Sequence, residues 1–239
     1  MTDVALVTGA DGALGSEVAR TLAARGDRVV VAGSAHGKAR LEQLASTLPS
    51  ACVVAGDLTD DATWREALPR VARELGAPPA LAALVAGGWR GGKPLHEQAP
   101  EQEAEVWRAM MSANLETVHK GFARLLPAMV AGKRGSIVVV GSRVAEQPWT
   151  GAGSAAYATS KAAVVALAQA VAAEVLEHGV RINAVLPSTM DTPANRAAMP
   201  RADPARWVSL GSAAGVIAFL LSDAARDVSG AAVPVYGRS

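Results

Sequence analysis

The chain has 239 residues, of which 50% are hydrophobic and 19% charged. That suits one large apolar core and leaves too little for a second full domain. The formal net charge of +1, with no basic block, excludes electrostatic recognition of nucleic acid or of an anionic membrane, so a small-molecule ligand is the expected partner. The single cysteine, Cys52, excludes a disulfide framework and a thiolate cluster, and the 4 scattered histidines give no metal site. The N-terminus enters a patterned segment at once, without a charged n-region and apolar h-region, and no apolar run reaches membrane-spanning length. A soluble cytoplasmic protein is expected.

In chain order, the valine-rich run Val4–Thr8 predicts a strand that turns through Thr8-Gly9-Ala10-Asp11-Gly12-Ala13-Leu14-Gly15 into a helix over Ala13–Arg25, capped at Gly26. Such a turn lets the backbone approach a pyrophosphate and offers it the unpaired N–H groups of a helix start, although alone it is a weak signal. A strand over Arg28–Gly33, a helix over Lys38–Thr47, a strand over Ala51–Ala55 and a helix over Asp60–Leu75 follow. The strand Leu81–Ala86 then leads to one long helix over Pro100–Val130. Last come the strand Ser136–Gly141, a helix over Ser154–His178 capped at Gly179, the strand Val180–Leu186, a helix over Gly211–Asp223 and the strand Ala232–Tyr236.

Strand runs that are apolar throughout and alternate with helices predict a parallel sheet covered on both faces. The fold class is therefore α/β: a single doubly wound, Rossmann-type domain over 1–239, with a seven-stranded parallel sheet and a substrate loop at about 187–210. A ligand is expected beyond the carboxyl ends of the strands, where strand order reverses.

The segment Tyr157-Ala158-Thr159-Ser160-Lys161 places a phenol and an ammonium at i and i+4, on one helix face. A phenol with a pKa of about 10 exchanges protons poorly near neutrality unless a cation stabilises its anion, and Lys161 can supply that charge. A bare pair at this spacing is more often a packed tyrosine beside a solvated lysine; the glycine turn reverses those odds.

With these motifs the chain resembles the short-chain dehydrogenase/reductases over nearly its whole length. The family's T-G-x-x-x-G-x-G is matched by Thr8, Gly9 and Gly15, with Ala13 at the middle glycine, and its N-N-A-G by Leu84-Val85-Ala86-Gly87, with both asparagines missing. The resemblance implies that a nicotinamide dinucleotide lies against Gly9, Asp11, Gly12, Ala13, Leu14 and Gly15, near Ser34, and near Asp57 and Leu58 at the adenine. It also implies contacts from Ala86, Gly87 and Gly88, and from Pro187, Met190 and Thr192 beside the nicotinamide. Tyr157 would be the general acid/base, Lys161 would also hold the nicotinamide ribose, and Asn114 would help a water chain reach the lysine.

The family serine usually stands thirteen residues before the tyrosine, where this chain has Val144. Ser142, fifteen residues before Tyr157 at the end of the fifth strand, is the better match if the loop Glu146–Gly153 holds a two-residue insertion; Ser154 is the competing candidate. Gly33 and Ser34 end the second strand where a carboxylate would mark NAD, and Ser34, His36 and Lys38 could receive a 2′-phosphate, so NADP(H) is the expected cofactor, with NAD(H) as the alternative.

Ala86-Gly87-Gly88-Trp89 with Gly91-Gly92, and the run Leu186–Trp207, resemble dihydropteridine reductases, although those enzymes usually end the second strand with an aspartate and lack the serine kept here as Ser142. Trp89, Trp149 and Trp207 are expected around the pocket mouth, where they would suit a flat or apolar ring. The expected function is an NADP(H)-dependent oxidoreductase acting on a carbonyl/alcohol or pterin-like substrate. The alternative is a catalytically vestigial NAD(P)-binding regulator or scaffold, motivated by Ala13 and the altered N-N-A-G. The resemblance further implies a homotetramer or homodimer built partly on the helices holding Asn114 and Tyr157.

Overall fold

The seven valine-rich runs form one parallel sheet, ordered β3-β2-β1-β4-β5-β6-β7, in a computed structural model that describes residues 3–238. Its strands are β1 (Val4–Thr8), β2 (Arg28–Gly33), β3 (Ala51–Ala55), β4 (Leu81–Leu84), β5 (Gly135–Val140), β6 (Val180–Pro187) and β7 (Ala232–Val235). Strand order reverses between β1 and β4, so a crevice opens beyond their carboxyl ends. β4 stops two residues short of the expected Ala86 because the Ala86 N–H leaves the ladder and donates to Thr8 Oγ1 at 3.0 Å.

Among the described residues eight α-helices accompany the sheet: α1 (Ala13–Ala24), α2 (Lys38–Ser46), α3 (Asp61–Leu75), α4 (Pro100–Met110), α5 (Thr117–Ala131), α6 (Ala155–Val175), α7 (Pro193–Ala198) and α8 (Leu210–Leu221). Successive strand residues face opposite sides, so each strand feeds two cores. Ala5, Val7, Val29 and Val31 pack under Leu22 of α1, Leu41 of α2 and Ile217 of α8. Leu6, Val30, Ile137 and Ile182 pack under Trp64 of α3, Phe122 of α5 and Val164 of α6. Each fully buried aliphatic or aromatic side chain contributes roughly 1.5–3 kcal/mol of apolar burial.

The expected long helix Pro100–Val130 is α4 and α5 joined through a wider π turn, Met111–Glu116, which contains Asn114. Gly26 and Gly179 take the expected left-handed conformations, at φ +100° and +72°, and stop α1 and the turn after α6. One expectation is corrected: Ala155–His178 is 24 residues long and holds an 18-residue window of mean hydropathy 1.4, long and apolar enough to cross a membrane. This segment is nonetheless a sheet-packing helix. Val164, Ala168, Ala172 and Val175 enter the core, and Lys161 on the same helix is buried.

Candidate active site

At the carboxyl end of β1 the chain must reverse into α1 in very little space. Gly9 takes φ +65°, and a Cβ there would come 2.9 Å from Ala86 Cα; a Cβ on Gly15 would come 2.1 Å from the Gly9 oxygen. Glycine is therefore required at both positions. Gly12 leads into α1 without a side-chain cap, and the first turn carries no acidic residue. Its unpaired N–H groups and the positive end of the helix dipole face a cleft of about 420 Å³. This uncapped, acid-free helix start fits the pyrophosphate of a dinucleotide.

Tyr157 and Lys161 reach the same cleft from the first turns of α6. Lys161 is 6% exposed, and its Nζ donates to the Val140 oxygen at 2.8 Å. An ammonium carries three donors, so the remaining N–H groups are left to the cleft that Lys161 lines. Burial pulls its pKa down to about 8. Nζ lies 6.0 Å from the centroid of the Tyr157 ring. Burial raises the Tyr157 pKa, and a hydrogen bond with the Ser142 side chain works in the opposite direction.

Ser142 leaves β5 in extended backbone, φ −166°, and lines the cleft. The competing Ser154 begins α6 with its hydroxyl donating to the Gly151 oxygen at 2.7 Å, away from the phenol. Between them the loop makes a tight turn, Pro148–Gly151, and Gly153 takes φ +83°. The serine, tyrosine and lysine thus converge with Ser142 fifteen residues before Tyr157 in sequence.

Asn114 is fully buried, and the π turn aims its amide at the backbone that follows β4. Its Oδ1 accepts from the Gly88 N–H at 3.0 Å, and its Nδ2 donates to the Gly88 oxygen at 3.1 Å and to Ser160 Oγ at 3.0 Å. Those bonds, with Thr8 holding Ala86, fix the turn through Leu84-Val85-Ala86-Gly87. A Cβ on Gly87 would fall 2.5 Å from Asn114 Oδ1 and 3.3 Å from Lys161 Nζ, so the turn packs directly on both.

Of the expected cofactor contacts, Gly9, Asp11, Gly12, Ala13, Leu14 and Gly15 line the cleft, as do Ala86, Gly87 and Gly88. Pro187, Met190 and Thr192 close its other side, where Thr192 Oγ1 also accepts from the Asn195 N–H at the start of α7. Three expected residues do not line it. Asp57 turns its carboxylate onto the Thr59 N–H and hydroxyl, at 2.8 and 2.7 Å, which holds its pKa below the usual range. Leu58 is buried, with its oxygen accepting from the Trp64 indole. Ser34 stands at the rim and donates to Asp11 Oδ2 at 3.3 Å.

Neither His36 nor Lys38 reaches the cleft; Lys38 pairs with Glu42 at 3.7 Å instead. Arg40 does line it, a residue that no motif spacing indicated. Of the three tryptophans, Trp89 is a wall residue, 60% exposed, while Trp149 and Trp207 lie outside the lining. The loop after β6 is tied at its base: the Asp191 N–H donates to the Val208 oxygen at 2.8 Å and the Val208 N–H to Thr189 at 2.9 Å.

The chain is similar to known proteins along nearly its whole length. The family profile described as short chain dehydrogenase matches residues 3–203. The chain is 35% identical to the cis-4-hydroxycyclohexanecarboxylate dehydrogenase of Sinomonas cyclohexanicum, over 98% of this chain and 95% of that one. It is 28% identical to the 2,5-dichloro-2,5-cyclohexadiene-1,4-diol dehydrogenase LinX of Sphingobium indicum, over 98% and 94%. A solved oxidoreductase of the short chain dehydrogenase/reductase family from Burkholderia thailandensis superposes with a TM-score of 0.84 at 30% identity, covering 99% of this chain and 92% of that one. With a matched profile, relatives aligned along nearly their full length and the cleft described above, the chain belongs to the short-chain dehydrogenase/reductase family and is an NAD(P)-dependent oxidoreductase.

Proposed function

We propose that this enzyme is NADP(H)-dependent and interconverts a secondary alcohol on a six-membered ring with its ketone. The observation that carries the reading is the convergence at the cleft of the Tyr157 phenol, the Ser142 hydroxyl hydrogen-bonded to it and the buried Lys161 ammonium, 6.0 Å from the Tyr157 ring centroid. When bound, the cofactor supplies the hydride donor or acceptor. Tyr157 gives its proton to the carbonyl oxygen or takes it from the alcohol, Ser142 donates to that oxygen as charge develops, and Lys161 stabilises the phenolate. The ring preference rests on the printed names of the two relatives, a hydroxycyclohexanecarboxylate and a cyclohexadienediol dehydrogenase, and on Trp89 beside the cleft. The NADP(H) preference rests on Arg40 and Ser34 beyond the end of β2, where the strand itself brings no carboxylate.

A pterin-like ring is the second substrate reading, favoured by the same indole wall and by the resemblance over Leu186–Trp207. We also propose self-association through the outward face of α6, where Ala162, Ala166 and Ala173 lie exposed, with sedimentation velocity as its check. The functional test is oxidation of NADPH and NADH with cyclohexanone-type ketones, aldehydes and quinonoid dihydropterin. Ring-ketone turnover should fall about 10²–10⁴-fold in Tyr157→Phe, with the cofactor Kd within about twofold of the parent. Equal turnover by parent and variant would remove Tyr157 from the proton step, and no turnover by either beside intact cofactor binding would replace the enzyme with the vestigial regulator.

A further inference from the structure

The outer end of the cleft carries a charged pair that the glycine pattern does not require. Asp11 sits within the turn, yet its side chain leaves the turn and lies against the end of β2. Its Oδ2 accepts from Ser34 Oγ at 3.3 Å and from the Arg40 guanidinium at 3.3 Å, and its backbone oxygen accepts from Arg40 Nε at 3.1 Å. The space it fills is space that two glycines leave. A Cβ on Gly33 would come 2.3 Å from Oδ1, and one on Gly37 2.1 Å from Oδ2. Neither glycine has positive φ, so what a side chain there would meet is the Asp11 carboxylate and not a backbone constraint. The carboxylate is 16% exposed and the arginine side chain 64%, so the anion is seated and the cation lies outside it.

A carboxylate beyond the end of the second strand is the group that accepts ribose hydroxyls and repels a 2′-phosphate. Here β2 ends at Gly33, followed by Ser34, and the carboxylate arrives from the turn after the neighbouring strand β1. We propose that Asp11 is the cofactor-selecting residue of this enzyme: its carboxylate takes the place of the absent β2 acid, accepts the ribose hydroxyls of NAD(H) and opposes the 2′-phosphate of NADP(H), which binds by drawing Arg40 away. The inference rests on the oxidoreductase reading above and refines it. An exposed ion pair is weak, whereas a guanidinium binds phosphate through charge-assisted, often bidentate bonds, so Arg40 favours the phosphate. Asp11 limits that advantage and keeps NAD(H) usable.

Equilibrium binding without substrate tests this, by calorimetry with NADPH, NADH, AMP and its 2′-phosphorylated form. Asp11→Asn keeps the shape between Gly33 and Gly37 and removes the charge. It should tighten NADPH and 2′-phospho-AMP by about tenfold, less at high salt, and shift NADH by under about threefold. Arg40→Ala, on the exposed side of the pair, should weaken NADPH by about tenfold or more and change NADH little. If Asp11→Asn moves both cofactors equally or moves neither, the selector is wrong while the oxidoreductase reading stands. If the parent protein binds neither cofactor, both fall together.

Discussion

At the residue scale, the site rests on how burial divides protons between Tyr157 and Lys161. Burial raises the tyrosine and lowers the lysine to about 8, so near neutrality the phenol keeps its proton while the lysine is still cationic. That is the combination carbonyl reduction needs: an acid whose conjugate base has a cation close by. Turnover in the reducing direction should therefore be level up to pH about 8 and fall above it as Lys161 is neutralised. Ser142→Ala should lower the whole profile by about 10²-fold and leave the break in place, because the serine stabilises developing charge and does not set the lysine's pKa. A profile level from pH 6 to 10 would remove Lys161 from the proton step. The sequence made this pair legible because i and i+4 positions share a helix face whatever the surroundings. It did not show the contact of Arg40 with Asp11, because a turn has no period from which side-chain direction can be read.

At the element scale, the strands and longer helices were legible almost to the residue, since uninterrupted valine runs and glycine stops carry their own signal, whereas the short α7 lies inside the expected substrate loop. The π turn at Met111–Glu116 was not legible. The apolar period continues through it into α5, and one wider turn changes which side chain points inward without changing composition. Its effect is to aim Asn114 at Gly88. Asn114→Leu keeps the volume but leaves the Gly88 N–H without its acceptor and Ser160 without its amide, so it should destabilise the chain by about 3 kcal/mol. Because Gly88 lines the cleft, cofactor affinity should weaken as well. Urea denaturation and calorimetry on the same variant measure the two losses. A cost under about 1 kcal/mol would mean that the turn after β4 holds without Asn114.

At the scale of the whole molecule, the cores on both faces of the sheet must tolerate a charge placed at its carboxyl edge. Lys161 is 6% exposed and hydrogen-bonded to the Val140 oxygen, so its ammonium gives up most of its hydration on folding. Its folded pKa of about 8 lies below the ordinary 10.5, so below pH 8 both folded and unfolded chains carry the proton and the cost is fully present. Between 8 and 10.5 the unfolded chain binds more protons, and stability rises with pH; above that range the lysine is neutral in both states and the cost is gone. Lys161→Met, similar in length and without charge, should be inactive yet more stable at pH 7. The gain is on the order of 2 kcal/mol, reduced from the full linkage because the bond to Val140 is lost. For a chain of this size that corresponds to about 4–8 °C in Tm. The other titrating groups are common to both proteins, so the difference between them isolates the lysine. That difference should shrink as pH rises from 8 toward 10.5, read from paired melts in matched buffers. A gap of constant size would mean that methionine gains through packing alone. A closing gap would show that this fold gives up stability to hold a cation beside Tyr157.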